Sequence, residues 1–256
     1  MKQGYLFLKQ CFSVLTLVFL FLTVQSQSFT AGNVAVIVAA TSANNTTASV
    51  VELNPASTAQ TPVTTRNIDG TALPNSMRFS GSASSTLYLT NSDDGSLLAF
   101  AGANTLNTSL NTNTITDRAV GTYNAAGTFN LATTYTGVSG NQPRSATTIN
   151  NSTWFIGDQG GAYTNGTSAP SPALNVRGIK SFGGQAYVSQ ASATVTNIQV
   201  STLSAPSAGT VTGLPGLTSN ASLQDYYLIS SGSNGTAFDI LYVLSATSNT
   251  AGTIAK

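Results

Sequence analysis

The apolar runs of this chain are short and the links between them are shorter still, and this spacing limits the available folds more than any other feature. NVAVIVAA at 33–40 and SVVEL at 49–53 are parted only by TSANNTTA; TLYLT at 86–90 and SLLAFAG at 96–102 only by NSDDG. AVGTY at 119–123 is joined to TFNLATTY at 128–135 by NAAG, and TWFIG at 153–157 to GAYT at 161–164 by DQG. Runs rich in β-branched and aromatic residues, bounded by Gly, Asn and Ser, read as strands. A parallel pair needs a crossover of about a dozen residues or more, usually a helix, and these links cannot supply one. The spacing therefore predicts antiparallel, up-and-down pairing and excludes parallel βαβ units.

The sharpest local signal is RGIKSF–GG–QAYVS at 177–189, with Gly183 and Gly184 at the tip. A Gly-Gly pair accepts the positive φ that two-residue hairpin turns require. Its second arm puts Ala186 and Val188 on one face and Gln185, Tyr187 and Ser189 on the other. A last hairpin is expected from AFDILYVLS and GTIAK, joined by ATSNTA. Three segments start with an arginine before a strand, at Arg78, Arg144 and Arg177; their spacings of 66 and 33 make an irregular repeat. The pattern predicts an all-β fold, a partial (open) β-propeller of about four to five antiparallel blades. The alternative is a β-sandwich, which short, regularly spaced strands also fit.

The first residues read differently. Lys2 and Lys9 precede the apolar run CFSVLTLVFLFLTV at 11–24, which ends in QSQS. This is the pattern of a secretory signal peptide. A run of 14 residues falls short of the roughly 20 that span a bilayer. Val24 and Ser26 suit cleavage before Gln27, and Ser26 and Ser28 a cut two residues later. Residues 1–27 are thus assigned to the signal and 28–256 to one exported, propeller-like domain, with no membrane span after cleavage. Cys11 lies within the run and lacks the context of a lipoprotein site.

Removing the signal leaves seven basic residues against eight acids and no cysteine. A net charge near −1 gives no field to steer nucleic acid or anionic lipid. The chain has no histidine and a single glutamate, Glu52. The commonest general base and nearly all zinc chemistry are thereby absent, and no cofactor is implied. Serine nucleophiles lack both a histidine and a GxSxG elbow, and Lys180 lacks an SxxK partner motif. NSDDGSL at 91–97 opens like a calcium loop, with Asn91, Asp93 and Gly95, but its twelfth position is Gly102 where an acid is required. A hairpin turn at Asp94–Gly95 is the better reading, and no metal site is assigned. Paired-carboxylate hydrolysis has only Glu52, Asp69, Asp93, Asp94, Asp117, Asp158, Asp225 and Asp239 to draw on. Most sit at turns, where Asp caps its own backbone; Asp117, beside Arg118, and Asp158 border strand ends expected to face a central channel. Tyr88, Trp154, Tyr163, Tyr187, Tyr226 and Tyr227 offer stacking surfaces for sugars, although alternation with apolar neighbours reads as core, Trp154 above all. Sequons begin at Asn44, Asn45, Asn107, Asn150, Asn151, Asn165, Asn220 and Asn234; these are N-glycosylation acceptors in a eukaryotic secretory route and a by-product of composition otherwise.

Several segments taken together carry a resemblance. TDRAVGTYNAAGTFNLATTYTG, NQPRSATTINNSTWFIGDQGGAYTNGT, NVRGIKSFGGQAYVSQ, GTVTGLPGL and DILYVLS ending in TIAK resemble a family of secreted, propeller-like proteins, mostly bacterial with some eukaryotic members, of no assigned activity. The likeness runs from about residue 85 to 256 and rests on structural motifs, namely NxRS, GGQxY and the LYV strand. It implies a fold and leaves catalysis open. Members of that family continue past the lysine matching Lys256, so the resemblance implies an N-terminal fragment, truncated within a blade. The expected function is a secreted, non-catalytic binding or structural module whose partner is an extracellular glycan or protein. The alternative is an extracellular glycan-acting hydrolase or lyase using Asp residues at the propeller rim; a third reading is an inactive truncated product.

Overall fold

The computed structural model describes residues 27–68, 70, 75–190, 200–206, 208–216, 223–235, 237–248 and 251–256. The apolar run expected to be a signal peptide (residues up to 26), Asp69 and the sequon at Asn220 lie outside the described residues. Within them the chain is all-β and antiparallel, with one 3-10 turn at Thr112–Thr114. No helix among the described residues is long and apolar enough to cross a membrane.

Among the described residues seventeen strands form five sheets, each an open meander of strands consecutive in sequence. The first holds β1 (Val34–Ala39), β2 (Ala48–Leu53) and β3 (Pro62–Ile68). The second holds β4 (Thr90–Asn91), β5 (Leu97–Ala103), β6 (Asp117–Asn124) and β7 (Phe129–Thr136). The third is β8 (Pro143–Thr148), β9 (Trp154–Asp158) and β10 (Gly161–Tyr163). The fourth is β11 (Val176–Phe182), β12 (Gln185–Gln190), β13 (Val200–Leu203) and β14 (Val211–Gly213). The fifth is β15 (Leu223–Ile229), β16 (Ile240–Ser248) and β17 (Ala251–Ala255). The Gly183–Gly184 hairpin forms as expected: Phe182 pairs with Gln185, and the glycines have φ of 60° and 80°. Ala186 and Val188 are fully buried on one face.

Apolar clusters lie between successive sheets. Val50, Ile68 and Phe79 meet Phe100 and Tyr123 between the first and second; Ala101 and Val120 meet Trp154 and Ile156 between the second and third. Phe155 and Val176 meet Ile179 and Val188 between the third and fourth. Phe182 and Val200 meet Tyr226 and Leu228 between the fourth and fifth. Middle sheets are covered on both faces, which explains why β5 and β9 read as near-continuous apolar runs. On β5, Ala99 and Ala101 turn to the third sheet while Phe100 turns to the first. Burying a side chain such as Phe100 stabilises the fold by about 1.5–3 kcal/mol. Among the described residues the end sheets are covered on one face only. Ala35 and Ile37 pack inward from β1, while Val34, Val36 and Val38 remain exposed. Tyr227 and Leu244, with Ile254 of β17, are exposed on the fifth sheet.

The first strands of the second to fifth sheets gather together, β11 touching β4, β8 and β15. Here the structure departs from the expected strand at 86–90: only Thr90 and Asn91 pair with β5. Leu87 adopts φ of 61°, and Tyr88 crosses between sheets, its N–H donating to Arg144 O (3.2 Å) and its hydroxyl to Gln224 O (3.1 Å). Arg78, expected to lead a strand, forms an isolated bridge with Ala103. Strand β3, built from PVTTRNI, was not singled out by periodicity; it completes the first sheet.

Candidate functional site

Where the gathered strands end, the chain encloses a cleft of about 300 Å³ lined by Asn91, Asp93, Lys180, Phe182, Tyr227 and Phe238, among others. Four elements position these side chains. The β4–β5 turn brings Asp93 and Asp94; its tightness comes from Gly95 at φ of 70°, whose N–H donates to Ser92 O (2.9 Å). The β11–β12 hairpin brings Phe182 beside the glycine pair. The fifth sheet brings Tyr227, and the segment before β16 brings Phe238. The two turns are tied together, since Gly184 N–H donates to Asp93 Oδ2 (2.8 Å). Asp93 Oδ1 is left without a partner among the described residues.

The cleft is amphipathic. Phe182 meets the Tyr227 ring edge-on at 5.1 Å and the Phe238 ring at 5.5 Å. Tyr227 is 56% exposed and Phe238 37%, so both rings present surface to a ligand. Lys180 is positioned at the floor: its Nζ donates to Asp225 Oδ2 and Tyr226 O, both at 2.9 Å, and lies 5.8 Å from the Tyr227 ring centre. Burial, reinforced by the Asp225 charge, raises the Tyr226 phenol well above its ordinary value. It stays protonated and donates to Tyr187 O (2.7 Å). A larger crevice of about 610 Å³ separates the fourth and fifth sheets, lined mainly by Tyr187, Leu214, Leu228, Phe238 and Leu241. It lacks the concentration of polar groups found in the smaller cleft.

The carboxylates singled out in the sequence are mostly engaged elsewhere. Asp158 is wholly buried away from any channel: Arg118 Nη1 pairs with its Oδ2, Tyr135 donates to the same oxygen (2.9 Å), and Gly160 N–H donates to Oδ1 (2.9 Å). Asp117 is exposed at an open pocket with Asn104, Thr134 and Thr136, on the third strand of its sheet. Asp158 is thus enclosed between the second and third sheets, while Asp117 is exposed at the start of β6. Glu52 receives Thr30 N–H (2.7 Å) and Asn33 Nδ2 (2.8 Å) and pairs with Arg66 at 3.3 Å. Asp94 is held well below the ordinary carboxylate range by hydrogen bonds from Ser92, Ser96 and Asn151, as the turn reading of NSDDG requires. Asp239 is likewise lowered, chiefly by Ser231. Among the described residues no group of three or more acids, cysteines or histidines is arranged to hold a metal.

Of the six aromatic candidates, Trp154, Tyr163 and Tyr226 are core, and Tyr88 and Tyr187 are partly buried. Only Tyr227 stands open. Phe182 and Phe238 were not singled out, and no local signal marks them, because Phe182 of the fourth sheet meets Tyr227 and Phe238 of the fifth across sheets. Six sequon asparagines, at 44, 107, 150, 151, 165 and 234, are exposed. Asn45 is not free: its Nδ2 donates to Asn107 O (2.9 Å) and Leu110 O (2.6 Å) while its Oδ1 accepts from Arg78 Nε. A glycan there would take one of the two Nδ2 hydrogens and so remove one of those donations. No family model, no curated protein and no solved structure matches this chain.

Proposed function

We propose that this protein is an exported, non-catalytic binding module whose sheets are successive leaflets of an open β-propeller, and that it holds a saccharide in the cleft of Phe182, Tyr227 and Phe238. The propeller reading is supported by apolar clusters that join each sheet to the next, where a sandwich needs one core shared by two layers. The gathering of β4, β8, β11 and β15 supports an axis. The Lys2–Val24 pattern supports export, and the resemblance to secreted propeller-like proteins agrees with both.

The observation that carries the ligand class is the pairing of exposed ring faces with fixed polar groups in one cleft. A sugar has apolar C–H faces that lie on aromatic rings and a rim of hydroxyls that need acceptors and donors. Asp93 and Lys180 line the cleft and bring it a carboxylate acceptor and an ammonium donor. Asp94 is held ionised by its turn and so is not a general acid near neutral pH, which removes one rim carboxylate from the hydrolase reading.

Calorimetric titration of the protein with a panel of neutral and acidic oligosaccharides tests this. At least one sugar class should bind saturably, and Tyr227→Ala should weaken it roughly five- to tenfold, the worth of one aromatic face. Absence of binding across the panel, or an undiminished affinity in Tyr227→Ala, overturns the saccharide reading. Release of reducing ends during the titration overturns the non-catalytic one.

A further inference from the structure

Two asparagines of the chain precede a glycine, Asn165 before Gly166 and Asn234 before Gly235, and the fold treats the two pairs oppositely. Both lie in exposed turns, the first after β10 and the second between β15 and β16. At the first pair every polar group is engaged. Asn165 Oδ1 accepts from Trp154 N–H (3.0 Å), its Nδ2 donates to Ser152 O (2.7 Å), and Gly166 N–H donates to Thr134 O of β7 (2.8 Å). At the second pair Asn234 Nδ2 donates to Asp239 Oδ2 (2.9 Å). Among the described residues Asn234 Oδ1 and Gly235 N–H have no partner.

This contrast governs a reaction that needs only water. Glycine has no Cβ, so its nitrogen is open to the side chain before it. A backbone N–H committed to a carbonyl has to give up that bond before it can react. We propose that Asn234 is a site of spontaneous deamidation and that the fold protects Asn165. Gly235 N attacks Asn234 Cγ; the N–Cγ bond forms, the Cγ–Nδ2 bond breaks, and the side-chain nitrogen leaves as ammonia with the proton from Gly235 N. Water then adds to either carbonyl of the cyclic imide and opens it to aspartate or isoaspartate, with nothing oxidised or reduced. The product puts a carboxylate where an amide donated to Asp239. Asp239 also holds Ser231, through its N–H (2.7 Å) and its hydroxyl (2.6 Å), and directly follows Phe238 of the cleft. Carboxylates so close repel, so the reaction loosens the turn beside that ring. The site is argued without any ligand and is independent of the saccharide reading.

Both asparagines also begin sequons, so the test uses the full chain produced without glycosylation. It is held in mildly alkaline ¹⁸O-labelled water, and its peptides are followed by mass spectrometry. The peptide containing Asn234 should gain the mass difference between NH₂ and labelled OH and separate into aspartate and isoaspartate forms. Asn165 has at least one more hydrogen bond to give up and should convert about tenfold more slowly. In urea, where the fold is lost, the two rates should converge. Asn234→Gln should suppress the change at that position and leave the Asn165 rate as it was. Equal rates at the two sites in the folded protein overturn the proposal, as does an Asn234 that stays intact while the unfolded chain converts. A difference that persists in urea belongs to local sequence and overturns it too. Asn234→Asp should shift the NMR signals of the Phe238 ring; unmoved signals overturn the link to that ring.

Discussion

Replacing Asp158 by asparagine should be among the most destabilising isosteric changes available to this fold. The site delivers three donors to one carboxylate: Arg118 Nη1 and the Tyr135 hydroxyl to Oδ2, and the Gly160 N–H to Oδ1. Asparagine keeps the shape but has one acceptor oxygen. If that oxygen faces Gly160, an amide NH₂ is driven against the guanidinium; if it faces Arg118, the NH₂ meets the Gly160 N–H. Arg118 cannot withdraw, because Nη2 also donates to Val138 O (2.9 Å) and Asn141 O (2.6 Å) and Nε to Ile115 O (3.1 Å). Both partners of the pair are fully buried, so the remaining charge finds no water. Removing one member of such a pair costs about 3–5 kcal/mol, a fall of roughly 6–20 °C in thermal midpoint for a domain of this size. Urea unfolding measures it directly, as a lower midpoint at unchanged slope. A loss below about 1 kcal/mol would refute the reasoning, since it would mean that the site is hydrated.

Gly137→Ala should destabilise by about 1–3 kcal/mol, because a Cβ there collides with the Arg118 guanidinium; urea unfolding reads this too. Gly184→Ala isolates backbone strain: nothing lies within 4 Å of its Cβ position but φ is 80°, so the cost, read by urea unfolding, should be about 1–2 kcal/mol. Stability should fall as pH drops below about 4.5, the ordinary value for Glu52. Burial pushes this carboxyl up, but hydrogen bonds from Asn33, Thr30 and Arg66 outweigh it and the net shift is downward. The stabilisation is thus full above the unfolded value and is lost as pH falls through the folded one. Urea midpoints between pH 3 and 6 should show this slope, and Glu52→Gln should flatten it.

The parts of this fold that could be read from the sequence are those fixed within a dozen residues. The Gly183–Gly184 hairpin and the β1–β2 and β6–β7 pairs are local, and alternation with turn chemistry is enough to place them. TLYLT misleads because its composition suits a strand, while Tyr88 is bonded to Arg144 and Gln224 in other sheets. Asp158 was noticed, but its role depends on Arg118, 40 residues away in sequence. The same holds for the cleft. Tyr226 and Tyr227 are adjacent and chemically alike, yet one is core and the other open, a difference set by which face of β15 meets the fourth sheet. Nothing near Phe238 in sequence announces that it completes the aromatic group.

Among the described residues every strand in the five sheets pairs only with its neighbours in the chain, and each cluster of apolar side chains joins one sheet to the next. A polypeptide organised this way has no need to hold an early segment unfolded until a late one arrives. Each meander can form as it emerges and offer a template face to the one that follows, which keeps loop-closure entropy low at every increment. The same modularity makes the unit count adjustable: gaining or losing one meander alters a single junction on each side and leaves the other pairings intact.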